Sequence, residues 1–207
     1  MERGYTAASF ANIALRLNLT KGALTYHFPT KNELGAALIE EGTSALVHAD
    51  AVTRTIYPQP GLAAVVGFQL VLGHALVSRP HVAAALEVYT DVNAPRAQSR
   101  TMLATWDGFL ATYLATAQAR GEISDEVPVE AASEFMVLTS LGQYHYYSRA
   151  QLDEREPRLR NYRIALRGLG CADADGVVDG AIQAVALALG SLPPSGSASR
   201  APHTSRP

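Results

Sequence analysis

Residues 9–34 read SFANIALRLNLTKGALTYHFPTKNEL, two short helices at a tight turn followed by the start of a third. Phe10, Ile13, Ala14 and Leu17 fall at i, i+3, i+4 and i+7, which places one apolar stripe along the first helix. Asn18 is the stop: its short polar side chain tolerates the left-handed backbone that a helix end requires. Thr20 is positioned to cap a second helix, expected over about Lys21–Phe28, with Leu24 and Phe28 turned inward and Lys21, Gly22, Ala23, Thr25, Tyr26 and His27 outward. Thr30 and Glu33 then spell the S/T-x-x-E capping box that opens the third helix, with Pro29 and Leu34 at the spacing of a hydrophobic staple. Lys31 stands in that first turn, where a cation opposes the helix dipole by about 0.3–1 kcal/mol. An external anion is its natural partner, and phosphate fits.

Charge is segregated along the chain. Residues 1–31 carry Arg3, Arg16, Lys21 and Lys31 against Glu2 alone, whereas residues 32–207 carry 13 basic and 18 acidic side chains, for an overall net charge of −2. The only two lysines of the protein both lie in the first segment. A basic end on an acidic chain is the electrostatic footprint of a protein that meets phosphate at that end only, which speaks against a general polyanion binder.

The string GYTAASFANIA…TKGALTYHFPTKNEL resembles the DNA-binding domain of the TetR family of bacterial regulators, over about residues 3–41, and within that family the γ-butyrolactone autoregulator receptors. A looser likeness continues through W…L…A…ARGEI…A…G-Q. The resemblance implies that Thr20, Lys21, Gly22 and Ala23 enter the major groove of DNA, with Thr25, Tyr26 and His27 on the same face. It further implies that Lys31 grips a backbone phosphate and that Ser9, near the start of the supporting helix, contacts another. The chain departs from the family at Thr25, where tyrosine is usual, and Tyr26 sets a phenol one position further on. Asn18 replaces a common glycine and Ala8 a common threonine.

The family also has a complete helix ahead of the segment that begins here with Met1. Phe10, Ile13, Leu17, Leu24 and Phe28 would pack beneath it, and baring them costs on the order of 25 cal/mol per Å² of apolar area. The expectation is a start codon further upstream; the other reading is a frayed head.

Beyond the head, 207 residues with 48% hydrophobic content are ample for a second, larger core. Gly61–Ser78 is apolar on almost every face and reads as a central buried helix rather than a membrane span, since Gln69 and His74 interrupt it and it is short for a bilayer. Arg79-Pro80 breaks it. Ser99–Arg120 is amphipathic, with Met102, Leu103, Trp106, Phe109, Leu110, Tyr113, Leu114 and Ala117 at helical spacing and Gly121 as its stop. Another helix starts at Pro128 and runs to about Arg149, and a last one spans about Asp175–Leu189. Five to seven helices, with no alternating strand pattern and no internal repeat, give an all-α fold. The expected organisation is a helix-turn-helix DNA-binding domain over residues 1–45, a helical ligand-binding and dimerisation domain over 46–190, and a disordered tail over 191–207, whose turn formers and small polar residues cannot offset their ordering entropy.

Trp106, the single tryptophan, has two readings. It fills a core, its indole N–H on a nearby carbonyl, or, as the resemblance implies, it borders a pocket where the flat ring covers a lactone. Gln69, Tyr89, Thr139, Gln143 and Tyr144 are the polar or amphipathic residues on apolar helices that can direct a ligand there. Each also has a plain structural reading. The run Gln143-Tyr144-His145-Tyr146-Tyr147 suits a dimer seam as well as a pocket mouth.

Catalytic patterns are absent from the sequence: no G-x-S-x-G elbow, no H-E-x-x-H, no phosphate-binding glycine loop and one cysteine, Cys171, which excludes an internal disulfide framework. His74 and His81, seven apart across a helix break, make a poor metal pair, and no metal or other cofactor is expected. With no apolar leader after Met1 the expected location is the cytoplasm, away from membranes. The sequence therefore predicts a homodimeric, ligand-responsive repressor on a palindromic operator, because one short recognition helix covers few base edges and two held about 34–36 Å apart read a palindrome. The rival is a ligand-binding or heterodimerising homologue that has lost DNA binding; an all-α enzyme is a distant third.

Overall fold

The computed structural model describes Tyr5 and residues 9–16, 18–150 and 155–190, without the side chains of residues 16, 148–150 and 155. Leu17 and the expected tail lie outside the described residues. Among those described there are nine helices and no strand: α1 (Phe10–Arg16), α2 (Lys21–His27), α3 (Lys31–Ile56), α4 (Leu62–Ser78), α5 (Pro80–Tyr89), α6 (Arg96–Ala119), α7 (Val129–Ala150), α8 (Arg155–Gly168) and α9 (Ala174–Leu189). The expected five to seven helices become nine because α5 and α8 lack a run of apolar periodicity long enough to read from sequence. α5 is ten residues long, and the arginines of α8 mask a stripe of Leu159, Tyr162, Ala165 and Leu166 that packs inward, continued by Leu169 just past its end.

The local grammar of the head is realised atom by atom. Asn18 has φ 54°, the left-handed conformation that ends α1. The Thr20 hydroxyl accepts from the Ala23 N–H at 3.0 Å, capping α2. At α3 both halves of the capping box form: Thr30 Oγ1 accepts from Glu33 N–H at 3.2 Å, and Glu33 Oε2 accepts from Thr30 N–H at 2.9 Å. Such caps contribute about 1 kcal/mol each. α3 then runs unbroken from the head into the body, straight across residues 45 and 46.

α4 is the central rod. Buried on almost every face, it touches α3, α5, α6 and α9, so its apolar sequence is matched by helices all round. No single described helix is long and apolar enough to cross a membrane, and α4 turns through 106° into α5 at Arg79-Pro80. The segment following α6 locks α4 in place: Gly121 takes φ +68°, which lets Glu122 turn back and accept the Leu62 N–H at the start of α4 at 2.6 Å, while Ile123 is buried beside it. Arg120 donates to the Gln59 carbonyl at 3.2 Å. The ARGEI string is thus a helix cap supplied from a distant loop.

α3 is pinned to α6 by a polar clasp. The fully buried Tyr113 donates to Asp50 Oδ1 at 2.5 Å, and Arg54 Nε donates to Asp50 Oδ2 at 2.9 Å with its guanidinium 5.5 Å from the Tyr113 ring centre. Burial and the neighbouring Asp50 push the Tyr113 phenol far above its ordinary range. The glycines of α3 serve packing: a Cβ on Gly42 would stand 2.9 Å from Ala85 Cβ and 3.2 Å from Met102 Sδ, and one on Gly35 would stand 2.7 Å from the Tyr5 hydroxyl.

Candidate DNA-reading head and effector cavity

The outer face of α2 presents Lys21, Gly22, Ala23, Tyr26 and His27 to solvent, while Leu24 alone is buried. Tyr26 is 83% exposed and stacks edge-on against His27 with ring centres 5.2 Å apart. Gly22 is open: a Cβ there would meet nothing nearer than Thr20 Oγ1 at 3.8 Å, so packing within the chain does not require a glycine. Thr25 is half-buried and its hydroxyl donates back to the Lys21 and Gly22 carbonyls at 3.0 and 3.1 Å, leaving its lone pairs as the outward chemistry. Ser9 is exposed, and its hydroxyl accepts from the Asn12 N–H at 3.2 Å as the cap of α1.

Lys31 has an internal partner that the sequence did not reveal. Its ammonium lies 4.5 Å from the centre of the Tyr5 ring, and the Tyr5 hydroxyl donates to the Lys31 carbonyl at 2.9 Å. The cation at the start of α3 is therefore held by a π face as well as being offered, half-buried, to the outside. Burial, and then the charge of Asp91 in the segment after α5, raise the Tyr5 phenol above its ordinary value.

A second site sits inside the body. Gln69, Leu72, Gly73 and Leu76 of α4, Leu86 of α5, Trp106 of α6, Ser140, Gln143 and Tyr144 of α7, and Arg158 and Tyr162 of α8 enclose a cavity of about 30 Å³. That is room for a water or two rather than for a drug-sized molecule, so a larger occupant must displace side chains. Four of the six residues expected to direct a ligand, Trp106, Gln69, Gln143 and Tyr144, converge on this wall; Tyr89 and Thr139 are half-buried elsewhere.

The polar atoms here are unevenly satisfied. Gln69 Nε2 donates to Ser140 Oγ at 2.7 Å, tying α4 to α7. Trp106, only 3% exposed, has no hydrogen-bond partner for its indole N–H, and Gln143, 7% exposed, has none for either its amide nitrogen or its oxygen. A buried polar atom left unmade costs roughly 1–3 kcal/mol. Three such atoms on one wall are groups that an ordered water or a polar guest in the cavity would satisfy. Arg158 and Tyr162 are wall residues that sequence reading missed, because the arginines of α8 mask the inward stripe to which Tyr162 belongs.

Two short N-terminal helices, a long helix that leaves them, and an all-α body with a small cavity make up the described architecture. Residues 1–38 match the family model of bacterial regulatory proteins, tetR family. No curated protein sequence matches the chain. Among solved structures, a gamma-butyrolactone receptor described as ArpA-like is 18% identical with a TM-score of 0.70, each chain covered to 89%. The TetR family protein CprB from S. coelicolor A3(2) is 19% identical, TM-score 0.69, covering 88% of each chain. A tetR-family regulatory protein from Rhodococcus RHA1 is 20% identical, TM-score 0.65, covering 82% of this chain and 90% of that one. The first 38 residues thus match the tetR family model, and the chain shares the fold of these solved tetR-family structures.

Proposed function

We propose that this protein is a ligand-responsive transcriptional repressor that binds a palindromic operator as a homodimer and releases it when a small molecule enters the cavity around Trp106. The single observation that carries the reading is the exposed, capped α2 face, which has the sequence of a tetR-type recognition helix and an open glycine at its entry. Four side chains of that face, Lys21, Ala23, Tyr26 and His27, are free to meet base edges and phosphates, and Lys31 completes the backbone grip.

Dimerisation supplies the spacing. α7 leaves Phe135, Leu138 and Tyr146 exposed at i, i+3 and i+11, and α9 leaves Leu187 exposed. Gly142 and Gly180 on those helices have open space where a Cβ would be, which lets a second backbone come close. Two such helix pairs make a four-helix seam between protomers. The effector is a small molecule with an apolar body and a polar head, butyrolactone-like in size. It can act only by binding more tightly to the conformation with mis-spaced heads. α3, clasped to α6 at Asp50 and reaching the head at Lys31, is the element that carries the movement.

The test is binding of the purified protein to duplexes selected from a random pool, followed by fluorescence anisotropy across a salt series. A palindromic consensus is expected, with affinity falling steeply as salt rises because phosphate contacts release counterions. Lys31→Ala should weaken specific and non-specific binding alike and flatten the salt slope by about one. Selection of no sequence at all would favour the second reading, a DNA-binding-deficient homologue, for which the engagement of Lys31 by Tyr5 and of Thr25 by its own helix speaks.

A further inference from the structure

Part of the polar lining of the cavity is bonded within the chain: Gln69 Nε2 donates to Ser140 Oγ at 2.7 Å, and the Ser140 hydroxyl donates on to the Met136 carbonyl at 2.9 Å. Trp106 and Gln143 stand outside that relay. The indole N–H of Trp106 and both polar atoms of the Gln143 amide are buried without a partner, in side chains that line the same cavity from α6 and α7. Exchanging the oxygen and nitrogen of the Gln143 amide would change nothing, since neither atom is engaged. The unmet set is two donors and one acceptor, and the acceptor sits beside one of the donors on a single planar carboxamide.

Resting on the proposal that this cavity receives the effector, we infer that the effector's polar head is a cis-amide, as in a lactam, and that Gln143 is the residue that selects it. One amide carries two lone pairs on its oxygen and, in a lactam, one N–H. The lactam carbonyl accepts from Trp106 Nε1 and Gln143 Nε2, and its N–H donates to Gln143 Oε1, so that the two amides meet edge to edge. All three unmet atoms are then satisfied. Donor and acceptor must share one edge of the guest, which a ring enforces; an open-chain secondary amide is trans and sets them on opposite sides. A lactone carbonyl accepts from both donors but offers nothing to Gln143 Oε1, and a carboxylic acid, ionised near neutral pH, only accepts. Water is the competitor for such a wall. It both donates and accepts, so a guest that only accepts displaces it at a loss. The five-membered ring is larger than a cavity of about 30 Å³, and the apolar Leu72, Leu76 and Leu86 of the wall give way to it.

The experiment titrates γ-octalactam, γ-octalactone and N-methyl-γ-octalactam into the intact protein by calorimetry. Lactam and lactone differ only by N–H against O in the ring. The lactam is expected to bind about five- to thirtyfold more tightly, the worth of a buried acceptor met rather than left unmade, less the greater hydration that an amide gives up. Methylating its nitrogen should erase that advantage, a test that leaves the protein unaltered. Gln143→Met keeps the length of the side chain without its polar atoms and should bring lactam and lactone within about twofold, with folding verified by circular dichroism. Trp106→Phe should weaken both by a similar factor and keep the preference, because the indole meets the carbonyl that they share. Equal or tighter binding of the lactone by the parent, with Trp106→Phe still weakening both, overturns the inference while leaving the cavity as the effector site. So does a preference for the lactam that survives methylation or Gln143→Met. Binding of neither probe, or binding that Trp106→Phe leaves untouched, overturns the inference and the effector site together.

Discussion

Gly22→Ala separates stability from DNA reading at a single atom. Gly22 lies in the first turn of α2, and a Cβ built there meets only Thr20 Oγ1, at an ordinary contact distance of 3.8 Å. No neighbour has to move. Replacing glycine by alanine in a helix stabilises by roughly 0.5–1 kcal/mol through the unfolded chain, and the lower half of that range suits a first-turn position. The effect on operator binding has the opposite sign. If the backbone at Gly22 approaches a base edge, the added methyl holds the helix off by about an atom's radius and forfeits at least one direct contact, worth about 1–3 kcal/mol or some ten- to over a hundredfold in affinity. Urea denaturation and operator anisotropy on the same preparation measure both quantities. A variant that is equally or more stable but binds its operator as well as the parent would refute the placement of Gly22 in the groove. A clear loss of stability would refute the open space described around it.

Tyr113→Phe should cost about 1.5–3 kcal/mol, since it removes a donor from the Asp50 carboxylate while keeping the ring in the core. Burial and the bond to Asp50 raise the Tyr113 phenol above the ordinary tyrosine value of about 10, so its contribution is complete below about pH 10 and declines as pH rises beyond it. Thermal melts above about pH 10 should therefore fall more steeply for the parent than for Tyr113→Phe, and parallel curves would argue against the clasp. Glu122→Gln keeps an acceptor but removes the charge from the start of α4; a loss of about 0.5–1.5 kcal/mol is expected by denaturation. A change within error would mean that the Leu62 N–H is satisfied otherwise.

The sequence by itself determined everything that depends on residues close along the chain. The stop at Asn18, the cap at Thr20, the capping box of Thr30 and Glu33, the apolar rod of α4 and the break at Arg79-Pro80 are local decisions of backbone sterics and orphan hydrogen-bond groups, legible within a few residues. The segregated charge and the outward α2 face were legible for the same reason, because a helix of seven residues is a short linear object. α8 was not legible, since its inward stripe takes meaning only from the α9 and cavity surfaces that it covers.

Tertiary structure decided the remainder, through contacts between residues far apart in the chain. It brought Gln69, Trp106, Gln143 and Tyr144 to one wall and left Tyr89 and Thr139 away from it, a sorting by helix rotation that a linear pattern of polar residues does not encode. It gave Lys31 the Tyr5 ring as a partner, set Gly35 and Gly42 at close contacts between elements, and turned ARGEI into the cap of a helix some sixty residues earlier. Helix packing fixes which side chains face one another only once all the helices are in place, so the cavity and its unmet donors exist in the assembled body and in no segment of it.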